Sequence, residues 1–486
     1  MSASSSPIWI VASLSIVAWL IATLLYVLRK RRGPRPGTQL APKPLVEVPV
    51  SRFVDFEPIA ACHPSSWRLE DQPADWQSAM ARIGERLRGA RVAEVLFVHG
   101  TMTGHDPLAM GSVVKRALPA LHRRVGRVIQ RVAKAGSDRI LGDLGNYAPE
   151  YVQLFEAALS KEIRCSSFVW SSANHHVARV RAAAWLAFRL ATVATPTDSK
   201  KHRPRALLVG HSHAGQLFAL LTQLLAGGPS AELLVQAASA CGENEEQLRA
   251  ALGRIRTLDL DFVTLGTAPR YGWGDVRGYR VAHFVNHRSQ HVTRRRLLAL
   301  LDTAKGDYVR RLGAAGSDFP AWTVTERRIN LRLDAALGRG SDLRTWFSGV
   351  RSGHGLMPTG TTLLIRYDQV SARKAPKWVD AYFGHGVYTR KGAMLFTAKL
   401  IADHFYPETP SALEAELAKW SPVERLPIQV GGLGGNLVSR WTHLAVLLKH
   451  RCQVLRHGVR ERFVTHRRQR STFDSVPPGS SGVGHS

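Results

Sequence analysis

The sequence predicts an α/β protein with a doubly wound, mostly parallel sheet. Short apolar runs bounded by turn residues recur along the middle of the chain, and their lengths and β-branched content suit strands buried on both faces. Helical patterns such as 177–194 and 214–225 lie between these runs, and strands that alternate with helices favour parallel crossovers. Hydrophobic residues make up 45% of the chain and aromatic residues occur throughout, which indicates a folded body.

Six strands are predicted in order along the chain. They span residues 93–98, 166–170, 206–209, 258–265, 279–285 and 361–367. Residues 51–90 are of mixed composition, and the run 80–87 predicts a short helix that packs on the body. The stretches 103–160 and 287–356 are too long for one crossover helix each. We therefore expect them to be helical cap insertions over one end of the sheet.

The N-terminus carries a candidate membrane anchor. Residues 7–28 form a run of 22 residues without a charge, which at about 1.5 Å per residue spans the hydrocarbon core of a bilayer. A cleavable signal peptide is the alternative, but it requires a shorter apolar region, preceding positive charge and a small-residue cleavage site. No basic side chain precedes the run, whereas RKRRGPR follows it, so the positive-inside rule predicts that the rest of the chain is cytoplasmic.

The chain therefore divides into five regions. They are a transmembrane anchor (1–28), a basic Pro-rich linker (29–50), an α/β domain (51–420), a basic C-terminal extension (421–470) and a Ser/Gly/Pro-rich tail predicted to be disordered (471–486). The cysteines are widely spaced and lack CxxC pairing, which argues against a disulfide framework or structural zinc and fits a reducing compartment. They are Cys62, Cys165, Cys241 and Cys452.

A formal net charge of +29 favours an anionic neighbour, which can be nucleic acid, an acidic membrane leaflet or an acidic substrate. Residues 449–470 alternate basic and apolar side chains, a pattern that suits an anionic membrane surface. A solvated arm without a specific partner is the alternative for this segment. No zinc-finger, RNA-recognition or helix-turn-helix signature accompanies it, so we expect no nucleic-acid partner.

The stretch VGHSHAGQ is the first candidate for chemistry. Ser212 follows the buried-strand pattern ALLVG and precedes an apolar-periodic helix, the context of a nucleophile elbow. Small residues are expected at Gly210 and Ala214 because such a turn is tight. A polar residue in an ordinary strand-to-helix turn is the alternative for Ser212.

A second candidate element is the loop after VLFVHG. A strand ending in His99-Gly100 is typical of a loop that presents backbone N–H groups to an oxyanion. Acyl transfer needs two donors where negative charge develops, and the candidate pair is the N–H of Thr101 and that of His213. His211 and His213 flank the serine, and we expect both side chains to face away from its hydroxyl.

The candidate base is His385 in FGHGVYTR, on the loop after the last predicted strand, from which it would reach the same edge of the sheet as Ser212. The acid that would orient it is expected after the strand 279–285. Asp307 is the first choice, with Asp368 and Asp275 as rivals.

These motifs, with FVWSSANHH and FVTLGTAPRYGW, make residues 90–406 resemble the bacterial lipase and esterase-like branch of the α/β-hydrolase superfamily. The resemblance implies a Ser–His–acid hydrolase for carboxylic esters, lipid-like in a membrane-anchored chain, with no metal or organic cofactor. It also implies a bacterial inner membrane location for the anchor. Ala214, where the elbow more often has glycine, and the long insertion before Asp307 depart from the family pattern. An inactive hydrolase-fold scaffold and an acyltransferase are the alternative functions.

Trp170 follows the second predicted strand at its carboxyl end and is a candidate for lining an acyl pocket. A tryptophan at the end of a strand is more often part of the core, and this reading is the alternative.

Overall fold

The structure is a computed structural model. It describes residues 50–55, 60–63, 65–101, 104, 135, 143, 145–159, 163–194, 203–268, 270–287, 307, 309–310, 321, 323–337, 359–367, 384–409 and 421–422. These residues belong to one compact unit, Met1–Glu424. The predicted anchor, nearly all of the linker and of the basic extension, and the predicted tail lie outside the described residues.

An eight-stranded, mostly parallel sheet forms the centre of the unit. Its strands are β1 (Val50–Asp55), β2 (Val92–Val98), β3 (Arg164–Phe168), β4 (Arg205–His211), β5 (Asp259–Leu265), β6 (Tyr279–Asn286), β7 (Thr361–Arg366) and β8 (Ser421–Pro422). The order is β3–β2–β4–β5–β6–β7–β1–β8, and every neighbouring pair is parallel except β1 and β8. The predicted parallel α/β sheet is therefore confirmed, and its six predicted strands correspond to β2–β7.

Helices connect the strands. They are α1 (Ala74–Gly89), α2 (Pro149–Ala158), α3 (His176–Ala191), α4 (Ala214–Ala226), α5 (Gly228–Ala240), α6 (Glu245–Ile255), α7 (Val324–Leu337) and α8 (Met394–Phe405). Two short 3-10 turns, Val387–Thr389 and Lys391–Ala393, precede α8.

Alternate side chains of the central strands enter two hydrophobic clusters, one on each face of the sheet. Val95 and Phe97 pack with α1, α2 and α8, whereas Leu96 and Val98 pack with α3, α4, α5, α6 and α7. Because helices cover both faces, strand residues that point either way are buried. This explains why the strands have continuous apolar runs in the sequence.

Strand β1 was not predicted. It begins at Val50, directly after a proline, and pairs in parallel with β7 from Val50 opposite Thr361 to Asp55 opposite Arg366. Its sequence VSRFVD mixes charged and apolar side chains and therefore lacks the apolar run by which the other strands are recognised. Only the pairing with a strand far along the chain reveals it.

No single helix within the described residues is long and apolar enough to span a membrane. Helices α4 and α5 reach such a length and apolar composition only together, and they are bent by 115° relative to each other. α4 is a core helix, with Leu217, Phe218 and Leu221 fully buried.

Candidate active site

Ser212 lies in the turn between β4, which ends at His211, and α4, which begins at Ala214. Its backbone has φ +56°, a left-handed conformation that is rare for residues other than glycine. Two hydrogen bonds hold the turn: the Ser212 N–H donates to the carbonyl of Leu265 at 2.8 Å, and the Thr267 hydroxyl donates to the carbonyl of Ser212 at 2.6 Å. A strained residue persists where its surroundings hold it, and such residues concentrate at functional sites.

Steric contacts explain why the residues around this turn are small. A Cβ on Gly210 would lie 2.5 Å from the ring of Phe218 and 2.9 Å from the Cβ of Ala214. A side chain at Gly210 would therefore collide with side chains of helix α4, and glycine lets strand β4 and helix α4 lie close together. The predicted strand, tight turn and helix around Ser212 are all present.

The loop after β2 lies against Ser212. A Cβ on Gly100 would be 2.7 Å from the Cβ of Ser212, so only glycine allows this approach. The His99 Nδ1–H donates to the Gly100 carbonyl at 2.9 Å, and the His99 Nε2 accepts the N–H of Trp170 at 3.1 Å. In a trans peptide the C=O and the following N–H point in opposite directions. The Gly100 carbonyl, once bound to His99, therefore turns the Thr101 N–H away from His99.

The side chains of Thr101 and His213 contact each other through Thr101 Oγ1 and His213 Nδ1. The same Nδ1 lies 3.5 Å from Ser212 Oγ. The expectation that the His213 side chain faces away from the serine is therefore wrong, because the N-terminal turn of α4 brings its ring back over the hydroxyl. The two backbone groups predicted as oxyanion donors belong to residues whose side chains are in contact.

His385 and Asp307 form a buried hydrogen-bonded pair. The His385 Nδ1–H donates to Asp307 Oδ1 and Oδ2 at 2.9 and 2.8 Å. This bond places the lone pair of the imidazole on Nε2, which is buried and has no hydrogen-bond partner among the described residues. His385 thus has the tautomer that a base requires, and no described residue engages its accepting nitrogen.

Contacts of two residues, His211 and Arg310, place this pair beside the turn at Ser212. The Nε2–H of His211, the residue before Ser212, donates to the carbonyl of His385 at 2.9 Å, and the two rings have centroids 4.5 Å apart. On the other side, the backbone N–H of Arg310 donates to Asp307 Oδ1, and the Arg310 Nε–H donates to the Thr267 carbonyl, both at 2.8 Å. Thr267 is the residue whose hydroxyl holds the Ser212 carbonyl.

Tyr388 is a site residue to which the sequence assigned no role, although it lies in the motif GHGVYTR. Its hydroxyl donates to Asp307 Oδ2 at 2.8 Å and accepts the backbone N–H of Asn286 at 2.7 Å. The Asn286 side chain in turn donates to the Gly384 carbonyl at 2.8 Å. Strand β6, the acid and the histidine loop are therefore linked through one phenol.

Burial and the neighbouring His385 lower the pKa of His211 to about 3. The ring is therefore neutral near pH 7, and no second positive charge opposes the protonation of His385. The His211 ring packs against the ring of His385, the candidate base.

The rival acids have different positions. Asp275 is exposed in the connection from β5 to β6, while Asp368 lies outside the described residues. Trp170 is fully buried, and its Nε1–H donates to the His99 carbonyl at 2.9 Å. The structure thus supports the alternative for Trp170, a core side chain, which here also holds the loop after β2.

No group of three or more histidine, cysteine or acidic side chains able to hold a metal ion occurs within the part of the chain that the structure describes. The chain was also compared with known proteins. No family model, curated protein or solved structure matches it.

Proposed function

We propose that this protein is a serine hydrolase that cleaves carboxylic esters of lipid-like substrates. The observation that carries the proposal is the His385–Asp307 pair beside the Ser212 turn. The imidazole is held through Nδ1 by a buried carboxylate, and its Nε2 has no other described partner. A histidine in this tautomer is what a serine nucleophile requires as its general base.

The mechanism follows from these positions. His385 Nε2 takes the proton of the Ser212 hydroxyl while Oγ attacks the ester carbonyl. The negative charge on the carbonyl oxygen is stabilised by the backbone N–H groups of Thr101 and His213 at the N-terminus of α4, where the helix dipole favours it. Imidazolium His385, stabilised by Asp307, then protonates the leaving alcohol. A water molecule activated by His385 releases the acyl group from Ser212.

The chain order supports a fold of the α/β-hydrolase type with helical cap insertions. Ser212 follows β4, Asp307 follows β6 and His385 follows β7, so all three come after the carboxyl ends of parallel strands. Ligands of open α/β sheets bind at that edge. The proposal includes the anchor at residues 1–28, which would hold the catalytic domain on the cytoplasmic side of a bacterial inner membrane, at a lipid surface.

A fluorophosphonate probe tests the proposal on the full-length chain. We expect covalent labelling of the wild type, no labelling of Ser212→Ala and labelling of His385→Ala slowed at least about a hundredfold, since the base is lost. Ser239→Ala on α5 is the matched control and should label like the wild type. Absence of labelling in the wild type, or equal labelling of Ser212→Ala, would overturn the proposal and favour an inactive scaffold.

His213→Ala tests whether His213, whose Nδ1 lies 3.5 Å from Ser212 Oγ, rather than His385 is the base. Because the His213 Nδ1 is already in contact with Thr101 Oγ1, we expect this variant to label faster than His385→Ala. The reverse order would assign the base to His213. Product analysis with an added alcohol then distinguishes hydrolysis from acyl transfer.

A further inference from the structure

Helix α7 exposes an unusual surface. The described residues include three exposed large hydrophobic side chains: Val324 (56% exposed), Leu331 (53%) and Val169 (38%). Val324 and Leu331 are both on α7 and lie about two helical turns apart, which places them on one face. Single exposed apolar residues are common, but a pair on one face of one helix needs a reason.

Arginines flank this apolar pair. Arg327, Arg328 and Arg332 are exposed on the same side of α7. Neither Arg328 nor Arg332 has an ion pair with another described residue. The acids of the helix are occupied elsewhere: Glu326 accepts the hydroxyl of Thr323 at the helix start at 2.9 Å, and Asp334 lies in the interior.

The inner face of α7 is tied to the edge of the sheet that holds Ser212. Asp334 Oδ1 lies 3.2 Å from His176 Nε2, and the side chain of Asn330 accepts the N–H of Val177 at 3.3 Å. His176 and Val177 begin α3, shortly after the carboxyl end of β3. Val169, the third exposed hydrophobic side chain, follows the same end of β3.

We propose that the outer face of α7, formed by Val324, Arg327, Arg328, Leu331 and Arg332, docks on an anionic lipid bilayer. Apolar side chains in the centre would enter the boundary between headgroups and acyl chains, while the arginines beside them would bind lipid phosphates. The net charge of +29 has the sign that such a surface requires. This inference deepens the proposed function, on which it rests, because docking would turn the edge that holds Ser212 toward the lipid.

An environment-sensitive fluorescent amino acid in place of Leu331 tests the docking on the full-length chain. The protein is incorporated into vesicles of phosphatidylcholine alone or of phosphatidylcholine with phosphatidylglycerol. We expect a blue shift of the emission only with the anionic lipid, and its loss in about 1 M salt, because salt screens charges at a surface. The same label in place of Glu85 on α1, which leads to the opposite edge of the sheet, should not shift.

Reversal of charge on α7 is the second part of the docking experiment. Arg328→Glu with Arg332→Glu should abolish the shift, whereas Arg82→Glu with Arg277→Glu, a pair of exposed arginines elsewhere, should leave it unchanged. No shift in either vesicle, or an equal shift in both, would overturn the proposal. Ser212→Ala should shift like the wild type, so a failed fluorophosphonate experiment and a failed docking experiment remain distinguishable.

Discussion

The Tyr388 hydroxyl donates to Asp307 Oδ2 at 2.8 Å while it accepts the backbone N–H of Asn286. Burial and the negative charge of Asp307 raise the pKa of Tyr388 well above its usual value. The phenol therefore stays protonated and remains a donor to the carboxylate. Asp307 is held in the direction of His385 by Tyr388 on one oxygen and by the Arg310 N–H on the other.

Removal of this hydroxyl should slow ester hydrolysis. A hydrogen bond to a charged group contributes about 1.5–3 kcal/mol, so for Tyr388→Phe we expect kcat to fall about tenfold to a hundredfold with KM unchanged. The measurement is steady-state hydrolysis of a p-nitrophenyl ester. Tyr147→Phe is the matched control, since its buried hydroxyl has no hydrogen-bond partner among the described residues. Equal effects of the two variants would contradict a positioning role for Tyr388.

Because Gly100 lies so close to Ser212, we expect one added methyl group at position 100 to impair the reaction of Ser212 severely. In Gly100→Ala the new Cβ would lie 2.7 Å from the Cβ of Ser212, so the loop or the serine must move. Because a displacement of about 1 Å can reduce catalysis about a hundredfold, we expect a loss of that size in fluorophosphonate labelling. Gly253→Ala on α6 meets open space and should instead stabilise the fold by about 0.5–1 kcal/mol. Normal labelling of Gly100→Ala would refute the packing of this loop on the serine.

The His99 side chain should affect catalysis without touching substrate. His99→Phe keeps a ring beside Trp170 but removes both the donor to the Gly100 carbonyl and the acceptor of the Trp170 N–H. Loss of the donor leaves the Thr101 N–H poorly oriented. We expect kcat to fall about a hundredfold, as for loss of one oxyanion donor. His99→Asn retains a donor near the position of Nδ1 and should recover part of the rate. If the two variants are equally slow, the hydrogen bond from His99 to the Gly100 carbonyl does not account for the effect of His99.

Buried neutral histidines should make the fold sensitive to acid. Burial lowers the pKa of both His211 and His283 to about 3, against about 6.5 in an unfolded chain. Between these values the unfolded state binds the extra proton, so the stabilisation present above about pH 6.5 is lost as the pH falls toward 3. Each of the two histidines lowers the free energy of unfolding by up to about 1.4 kcal/mol for each pH unit in this range.

Urea unfolding between pH 7 and pH 4 measures this dependence. We expect His283→Gln to be less stable than the wild type at pH 7. Its free energy of unfolding should fall less steeply toward pH 4, because about one proton fewer is taken up on unfolding. Ser239→Ala, which removes no titratable group, should keep the slope of the wild type. An unchanged slope in His283→Gln would mean that His283 is not the neutral group inferred from its burial.

Local patterns in the sequence were sufficient to predict most of the fold. The apolar runs of β2–β7 indicated strands because helices on both faces bury every side chain along them. The turn at Ser212 was predictable because strand, turn and helix are contiguous, and because the small residues Gly210 and Ala214 mark the close approach. Strand β1 could not be recognised from the sequence because its charged residues Arg52 and Asp55 interrupt the apolar run. Its parallel partner β7 is also remote in the chain.

The sequence by itself thus determined the parallel α/β sheet, the elbow at Ser212 and the glycine loop before it, since each depends on neighbours in the chain. Only the tertiary structure decided which acid meets His385, that Tyr388 holds this acid and that the His213 ring turns toward the hydroxyl. These contacts join residues from separate strand ends, and their distances depend on the strand order and on the course of long connections. Periodicity and composition carry no information about either.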